Sequence, residues 1–159
     1  MRHLSRRIAP LLLLPLAACA VHVQTPATER ASANAPVTQA QSFMAAYAAD
    51  LGAGRRDAII ARYDPRGAYL VGHGRKRLMP VDSIAAIYHG TGWQPPASFA
   101  WRDLSYEVAG PDAVVVTGLF DWSPGAGRTM TFSYTALLLR RDGRWFIRVE
   151  DESGAPQRP

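Results

Sequence analysis

The sequence predicts an α+β domain in which three amino-terminal helices pack on one face of an antiparallel sheet. Apolar residues of the first half recur at helical spacing. The second half consists of segments rich in β-branched and aromatic residues, separated by short turns of glycine, proline and aspartate. Helices that precede a run of hairpin-connected strands are typical of this class, because the helices then cover one face of the sheet.

Three helices are predicted before the long strands. The first begins at Thr38, which fits a capping box with Gln41. The second, at about 55–63, stops before a proline, because the residue that precedes proline disfavours helical geometry. The third begins at Pro80 and ends at a glycine, as expected from the preferences of these residues for helix ends.

The strands are predicted from apolar alternation and from turn residues. A hairpin, GAYLVG followed by RKRLM, lies between the second and third helices. Four longer strands follow, with turns at Gly110-Pro111-Asp112, Pro124–Gly127 and Asp142-Gly143. Successive strands joined by such short turns form an antiparallel meander.

The amino terminus has the three parts of an export signal. Three arginines precede an apolar core from Ile8 to Leu16, and two alanines follow. A helix needs about 20 apolar residues to span a bilayer, so this core is too short for a permanent transmembrane segment. Residues 1–18 are therefore predicted to be a signal peptide.

The net charge gives little reason to expect nucleic-acid binding. Arg2, Arg6 and Arg7 belong to the predicted signal, and without them the net charge falls from +5 to +2. A nearly balanced domain lacks the clustered positive charge that attracts a phosphate backbone. We therefore expect no nucleic-acid partner.

The stretch Leu16-Ala17-Ala18-Cys19 resembles the lipobox of bacterial lipoproteins, in which a leucine and two small residues precede an invariant cysteine. The resemblance implies that Cys19, the only cysteine of the chain, is lipidated and anchors the protein to a membrane. Ala20 stands where an aspartate would retain such a protein in the inner membrane. The resemblance therefore implies the outer membrane, with the domain facing the periplasm. An ordinary signal peptide with a cysteine near its cleavage site is the alternative.

The segments that flank the domain are predicted from composition. Residues 19–37 contain the lipidated cysteine and a tether rich in Ala, Thr, Ser and Pro, without apolar periodicity. The folded domain is assigned to residues 38–153. Residues 154–159 are predicted to be a disordered tail for the same compositional reason.

The order of elements, with AAYAADLGAGRRDAIIARY at the front and FSYTALLLRRDGRWFIRVEDES at the end, resembles the nuclear transport factor 2-like superfamily. That superfamily includes the SnoaL-like cyclases and the ketosteroid isomerases. The resemblance implies a cone, formed by three helices on a strongly curved sheet, with an apolar pocket at its open end. Because the fold carries enzymes, binding modules and structural domains, it does not by itself name an activity.

The resemblance to ketosteroid isomerases allows three residue roles to be compared. Those enzymes use a tyrosine of the first helix, an acid on the third of the four closing strands, and a proton-moving aspartate at the end of the first strand. Tyr47 matches the tyrosine. The second acid falls near Thr135, and the aspartate falls near His73, so neither position holds a carboxylate. Steroid isomerisation is therefore not expected.

Alternation along the last two strands supplies candidate pocket residues. On the last strand it places Val149 and Asp151 on the face toward the helices, and on the preceding strand it places Ser133 and Thr135 there. With Tyr47, these residues form the predicted pocket. Core packing or a solvated edge is the alternative for each of them.

His73 is a candidate base, because imidazole titrates near neutral pH. An exposed turn between Gly72 and Gly74 is the alternative. His73 and His89 have no carboxylate at a ligand spacing, so no metal site is expected. No cofactor is expected either.

The alternate side chains of the penultimate strand, on the face away from the helices, predict an interaction surface. Met130, Phe132, Tyr134 and Leu138 would lie together on the outer side of the sheet. An apolar patch of this kind marks association, and the resemblance implies the same, since members of the superfamily often dimerise through their sheets. A homodimer through this face is the resulting hypothesis.

Two classes of function remain at this point. The first is an envelope lipoprotein whose cone binds a small apolar ligand or acts as an interaction module. The second is an enzyme of the cyclase, isomerase or dehydratase kind, with Tyr47 as donor and Asp151 or His73 as the acid–base group. The first is preferred because no complete catalytic set can be assembled from the sequence.

Overall fold

The computed structural model describes residues 27–72 and 74–154 of the chain. Its helices are α1 (Ala27–Gly52), α2 (Arg56–Ile60) and α3 (Val81–His89). Its strands are β1 (Ala68–Gly72), β2 (Arg75–Met79), β3 (Ser98–Gly110), β4 (Ala113–Gly125), β5 (Arg128–Arg141) and β6 (Arg144–Gly154). The predicted α+β class and the predicted order of elements are confirmed.

The first helix is longer than predicted. It begins at Ala27 rather than at Thr38, so the part of the predicted tether from 27 to 37 is helical, and the prediction of a flexible chain there is wrong. The segment is rich in alanine, the strongest helix former, and Pro36 inside it removes one amide donor without ending the helix. No helix among the described residues is long and apolar enough to cross a membrane.

The six strands form one sheet in the order β2-β1-β6-β5-β4-β3. Neighbouring strands are antiparallel except β1 and β6, which are parallel. The sheet differs from the antiparallel expectation only at this junction, where the β1–β2 hairpin joins the four-stranded meander.

The core lies between the helices and the concave face of the sheet. Trp101 on β3 donates a hydrogen bond from Nε1 to the Met44 carbonyl at 2.9 Å, which fixes α1 against the sheet. The largest fully buried apolar side chains come from both layers, namely Met44, Tyr47, Ile59, Ile84, Val114, Val116, Tyr134, Leu138 and Ile147. The helices thus cover one face of the sheet, as the class predicts.

A β-bulge in the last strand decides which side chains face the helices. Arg148 is an extra residue between Ile147 and Val149, which pair with consecutive residues of β5. Because side chains alternate along a strand, one extra residue exchanges the two faces beyond it. Ile147 before the bulge and Glu150 after it are therefore both buried on the concave side. Glu152 follows Glu150 on that side.

Candidate functional site

The centre of the candidate site is a buried carboxyl group. Glu150 is 4% exposed and accepts hydrogen bonds from three tyrosine hydroxyls. The Tyr63 hydroxyl lies 2.6 Å from Oε2, and the hydroxyls of Tyr134 and Tyr47 lie 3.0 and 3.3 Å from Oε1. The tyrosines come from α1, the loop after α2, and β5. A buried carboxyl group requires such donors, because leaving it without partners is costly.

The hydroxyls also bond one another and extend toward solvent. The Tyr47 and Tyr63 oxygens are 3.0 Å apart, and the Tyr63 and Tyr88 oxygens are 2.9 Å apart. Burial, followed by the charge of Glu150, raises the pKa of Tyr47, Tyr63, Tyr88 and Tyr134. They therefore remain protonated donors at neutral pH. We call these four tyrosines and Glu150 the tyrosine–glutamate network.

Two carboxyl groups of β6 have raised pKa values. Burial raises the pKa of Glu150, although the tyrosine hydrogen bonds act in the opposite direction. The Glu152 side chain is accessible from a cavity beside the network. Glu152 is exposed at this cavity, but desolvation by the protein around it, followed by the charges of Glu150 and Asp151, raises its pKa to about 8. Glu152 can therefore hold or release a proton near neutral pH.

The cavity beside the network, which we call the main cavity, has a volume of about 590 Å³ and is open to solvent. The polar groups that line this cavity belong to Tyr63, Tyr88, Glu150 and Glu152. Two arginines of β2, Arg75 and Arg77, line it as well. Its apolar lining comes mainly from Leu70, Val71, Ile84, Ile87 and Trp93. Apolar walls with a few convergent polar groups are typical of small-molecule sites.

Arg56 fixes the part of the cavity wall that follows α3. Its guanidinium donates to the carbonyls of Tyr88, Gly90 and Trp93 at 2.6, 3.3 and 3.1 Å. It also lies over the Trp93 ring, 5.1 Å from the centroid. The Tyr88 and Trp93 rings meet edge to face, with centroids 5.2 Å apart. These contacts hold both aromatic rings in place beside the cavity.

A smaller recess adjoins the main cavity at Glu152, which lines both. We call it the aromatic recess; its volume is about 240 Å³, and its other lining residues are Phe120, Trp122, Met130 and Phe132. Phe120 stacks on Phe132 with ring centroids 5.0 Å apart. Glu152 therefore stands between a mixed polar cavity and an apolar surface.

The structure brings one predicted pocket residue into the site and places the others elsewhere. Tyr47 belongs to the tyrosine–glutamate network but does not line the main cavity. Ser133 and Thr135 are exposed, and Val149 and Asp151 lie beside them on the convex face. The prediction that these four residues line the pocket is wrong. Beyond the bulge at Arg148, the side chains of Val149 and Asp151 lie on the face opposite to the predicted one, and Ser133 and Thr135 of the paired strand β5 lie on that same face.

Local hydrogen bonds support this placement of the four residues. Asp151 accepts a hydrogen bond from Ser153 Oγ at 2.6 Å, and Ser133 Oγ donates to the Ser153 carbonyl at 3.0 Å. Thr135 stands directly opposite Asp151 in the register of the two strands. Asp151 therefore takes part in contacts outside the cone and is not the acid of the cavity.

The predicted apolar patch on the outer side of β5 is also wrong in its placement. Tyr134 and Leu138 are buried on the concave side, and Met130 and Phe132 line the aromatic recess. The side chains that alternate with these along β5, such as Thr131, face outward. The homodimer stays a prediction, without these residues as its interface.

Two other predicted functional residues lie outside the described residues. They are Cys19 and His73. The predicted signal peptide, the first part of the predicted tether and nearly all of the predicted tail also lie there, in residues 1–26 and 155–159.

Comparisons with known proteins show likeness in structure rather than in sequence. No protein-family model and no curated protein matches the chain. A nuclear transport factor 2-like protein of unknown function from Shewanella oneidensis MR-1 is 20% identical, with a TM-score of 0.66, over 74% of this chain and 98% of that one.

Two further solved structures carry names that suggest enzymes. A candidate scytalone dehydratase from Novosphingobium aromaticivorans is 11% identical, with a TM-score of 0.64, over 79% of this chain and 88% of that one. A candidate ketosteroid isomerase from Parabacteroides distasonis is 17% identical, with a TM-score of 0.61, over 73% of this chain and 85% of that one. At such identities the likeness concerns the fold alone. The described domain therefore has the cone-shaped nuclear transport factor 2-like fold.

Proposed function

We propose that this chain is an envelope lipoprotein whose conical domain binds a small, largely apolar molecule. The main cavity carries this proposal. Its volume of about 590 Å³ lies within the usual range for small-molecule sites. Leu70, Ile84 and Trp93 offer apolar surface to a ligand, and Tyr88 offers a hydroxyl that can orient it.

A substitution that fills the cavity tests the binding of such a molecule. Ile87 lines the main cavity and is 45% exposed, so Ile87→Trp adds bulk where a ligand enters. We expect this variant to bind apolar ligands at least about tenfold more weakly, because contact area with the cavity wall is lost. Isothermal titration against a panel of small aromatic and alicyclic molecules measures the effect.

The matched control is Val108→Trp, which adds the same side chain at a similarly exposed residue of β3 that does not line the cavity. We expect this control to bind as the wild-type chain does. Equal affinities for wild type and Ile87→Trp would place the ligand elsewhere, and the absence of any binding molecule would count against the proposal.

The membrane anchor is proposed from the sequence motif at Leu16-Ala17-Ala18-Cys19. We propose that lipids on Cys19 hold the domain at the outer membrane, on its periplasmic side. Metabolic labelling with a radioactive fatty acid, followed by membrane fractionation, tests the attachment. A chain without label, or one found in the inner membrane, would contradict it.

A second candidate function is acid–base catalysis on an apolar substrate. Glu150 and Glu152 line one cavity, and the pKa of Glu152 is raised to about 8, which suits a group that gains and loses a proton near neutral pH. Glu152 thereby replaces Asp151 as the proposed acid–base group, with Tyr88 as the hydroxyl donor.

Turnover assays separate this candidate from simple binding. On a substrate of the isomerase or dehydratase kind, we expect Glu152→Gln to abolish turnover while leaving the fold intact. Asp151→Asn is the matched control, because it changes the neighbouring carboxyl group on the convex face. Equal losses in the two variants, or turnover that survives Glu152→Gln, would exclude the proposed role of Glu152.

A further inference from the structure

The main cavity separates positive from negative side chains across its floor. Leu70 of β1 pairs with Arg77 on one side and with Glu150 on the other. The cationic residue and the acid therefore stand two strand spacings apart, about 10 Å, on the same face of the sheet. The Leu70 side chain lies between them as an apolar floor.

Arg75 and Gly72 form a second row of the same kind. These two residues pair across the hairpin, and a Cβ atom at Gly72 would lie only 3.1 Å from the Glu152 carbonyl oxygen. The end of β1 therefore lies close against the Glu152 backbone on one side and is paired with Arg75 on the other. Both rows thus have an arginine at one end and a glutamate at the other.

The two arginines are available to a ligand. Arg75 and Arg77 are exposed and line the main cavity. Neither takes part in an ion pair within the described residues, although two carboxyl groups line the same cavity. Lys76, between them, lies on the other face, with Nζ 5.5 Å from the Tyr69 ring centroid.

From this arrangement we infer that the main cavity takes a compact carboxylate ligand with an apolar body and a hydroxyl donor at its far end. This inference rests on the proposed binding function and names the ligand class. The planar guanidinium groups of Arg75 and Arg77 match a carboxylate. The apolar body packs between Leu70 and Trp93, and the hydroxyl donates to Glu150 or Glu152. In the fraction of molecules in which Glu152 is ionised, its charge would repel a dianionic phosphate more strongly than a singly charged carboxylate.

Three related probes test the ligand class on the full-length chain by isothermal titration. They are para-hydroxyphenylpropionate, para-ethylphenol, which lacks the carboxylate, and phenylpropionate, which lacks the hydroxyl. We expect the hydroxy acid to bind most tightly. Each truncated probe is expected to bind about tenfold more weakly, the loss typical of one charge-assisted hydrogen bond.

Charge substitutions in β2 provide the matched comparison. We expect Arg77→Gln to weaken the two carboxylates about tenfold and to leave para-ethylphenol unchanged. Lys76→Gln removes the same charge from the convex face and should leave all three affinities within about twofold of wild type. A merely solubilising role of the arginines on this edge strand would not produce that selectivity.

The outcomes distinguish the inference from the binding function on which it rests. If para-ethylphenol binds as tightly as the hydroxy acid, or if Lys76→Gln acts like Arg77→Gln, the inferred ligand class is overturned while the binding function stands. If none of the three probes binds, the ligand class is again overturned, and the wider panel with Ile87→Trp decides the binding function separately.

Discussion

We expect Asp64→Ala to lower the free energy of unfolding by about 3 kcal/mol, the lower end of the range for a broken buried ion pair. The Asp64 side chain is fully buried, and its Oδ2 accepts hydrogen bonds from Arg141 Nε and Nη2 at 2.9 and 2.8 Å. Its Oδ1 accepts one from the Arg66 amide at 2.9 Å. The alanine variant leaves Arg141 without its carboxylate, although that guanidinium, 28% exposed, keeps some contact with water.

Equilibrium denaturation with urea measures this change, and Asp57→Ala is the control. Asp57 is 93% exposed, and within the described part of the chain its only ion pair is with His89, so its loss should leave the denaturation midpoint nearly unchanged. If Asp64→Ala and Asp57→Ala have the same midpoint, the Asp64–Arg141 pair does not stabilise the fold.

The same carboxyl group predicts a dependence of stability on pH. Burial by itself raises the pKa of Asp64, but the Arg66 amide and the Arg141 guanidinium outweigh it, so the pKa lies below the ordinary value. A lowered pKa means that the contribution to stability is complete above about pH 4 and is lost as the pH falls toward the folded value. Asp64→Asn should therefore lose less stability than wild type when the pH is lowered through this window.

We expect Glu150→Leu to lower the free energy of unfolding by about 1–3 kcal/mol, the cost of a buried donor without an acceptor. Glu150 is the only hydrogen-bond partner of the Tyr134 hydroxyl within the described residues. Without Glu150, the Tyr47 hydroxyl can donate to the Tyr63 oxygen at 3.0 Å and the Tyr63 hydroxyl to the Tyr88 oxygen at 2.9 Å, so these two donors lose less. Leucine fills a similar volume, which keeps the change largely to the hydrogen bonds.

A double-mutant cycle assigns this loss to the orphaned hydroxyl. In the Glu150→Leu background, Tyr134→Phe should recover most of the lost stability, because it removes the donor as well. In the wild-type background, the same substitution should destabilise the protein. Equal effects of Tyr134→Phe in both backgrounds would show that Glu150 and Tyr134 are not coupled.

The raised pKa of Glu150 gives the opposite pH dependence from that of Asp64. A folded-state pKa above the ordinary value of 4.5 means that stability is complete below that pH and is lost as the pH rises through the folded value. Glu150→Gln cannot ionise and should not show this loss. The stability difference between Glu150→Gln and wild type is therefore expected to move in favour of the variant between acidic and neutral pH.

Local patterns were sufficient for the elements that do not depend on partners. Turn residues at Gly110–Asp112 and Asp142-Gly143 separate the strands as predicted, and α3 begins at Val81, one residue after the predicted start at Pro80. These features act within a few residues of the chain, through allowed backbone angles and side-chain spacing. The start of α1 at Ala27 differs from the prediction because that segment has no apolar periodicity, which is the local pattern from which a helix is predicted.

The acids of the cavity could not be assigned from the sequence. The run Glu150-Asp151-Glu152 indicates carboxyl groups on both faces of the last strand, but alternation counted from Trp145 selects Asp151 for the pocket. The bulge at Arg148 reverses that selection. Arg148 is held outside by contacts with β1 and the turn before it, where it donates to the Gly67 carbonyl and lies 5.2 Å from the Tyr69 ring centroid.

Apart from the start of α1, neighbouring residues were enough to predict the helices, the strands and their order along the chain, because backbone angles and side-chain periodicity are local properties. Contacts between distant parts of the chain bring Glu150 to the hydroxyls of Tyr47, Tyr63 and Tyr134. The same long-range packing places Glu152 at the cavity with Arg75 and Arg77. These contacts could not be predicted locally, because one unpaired residue in β6, Arg148, exchanges the sheet face on which every later side chain of that strand lies. Such a residue is specified by the strands on either side rather than by its own neighbours in the chain.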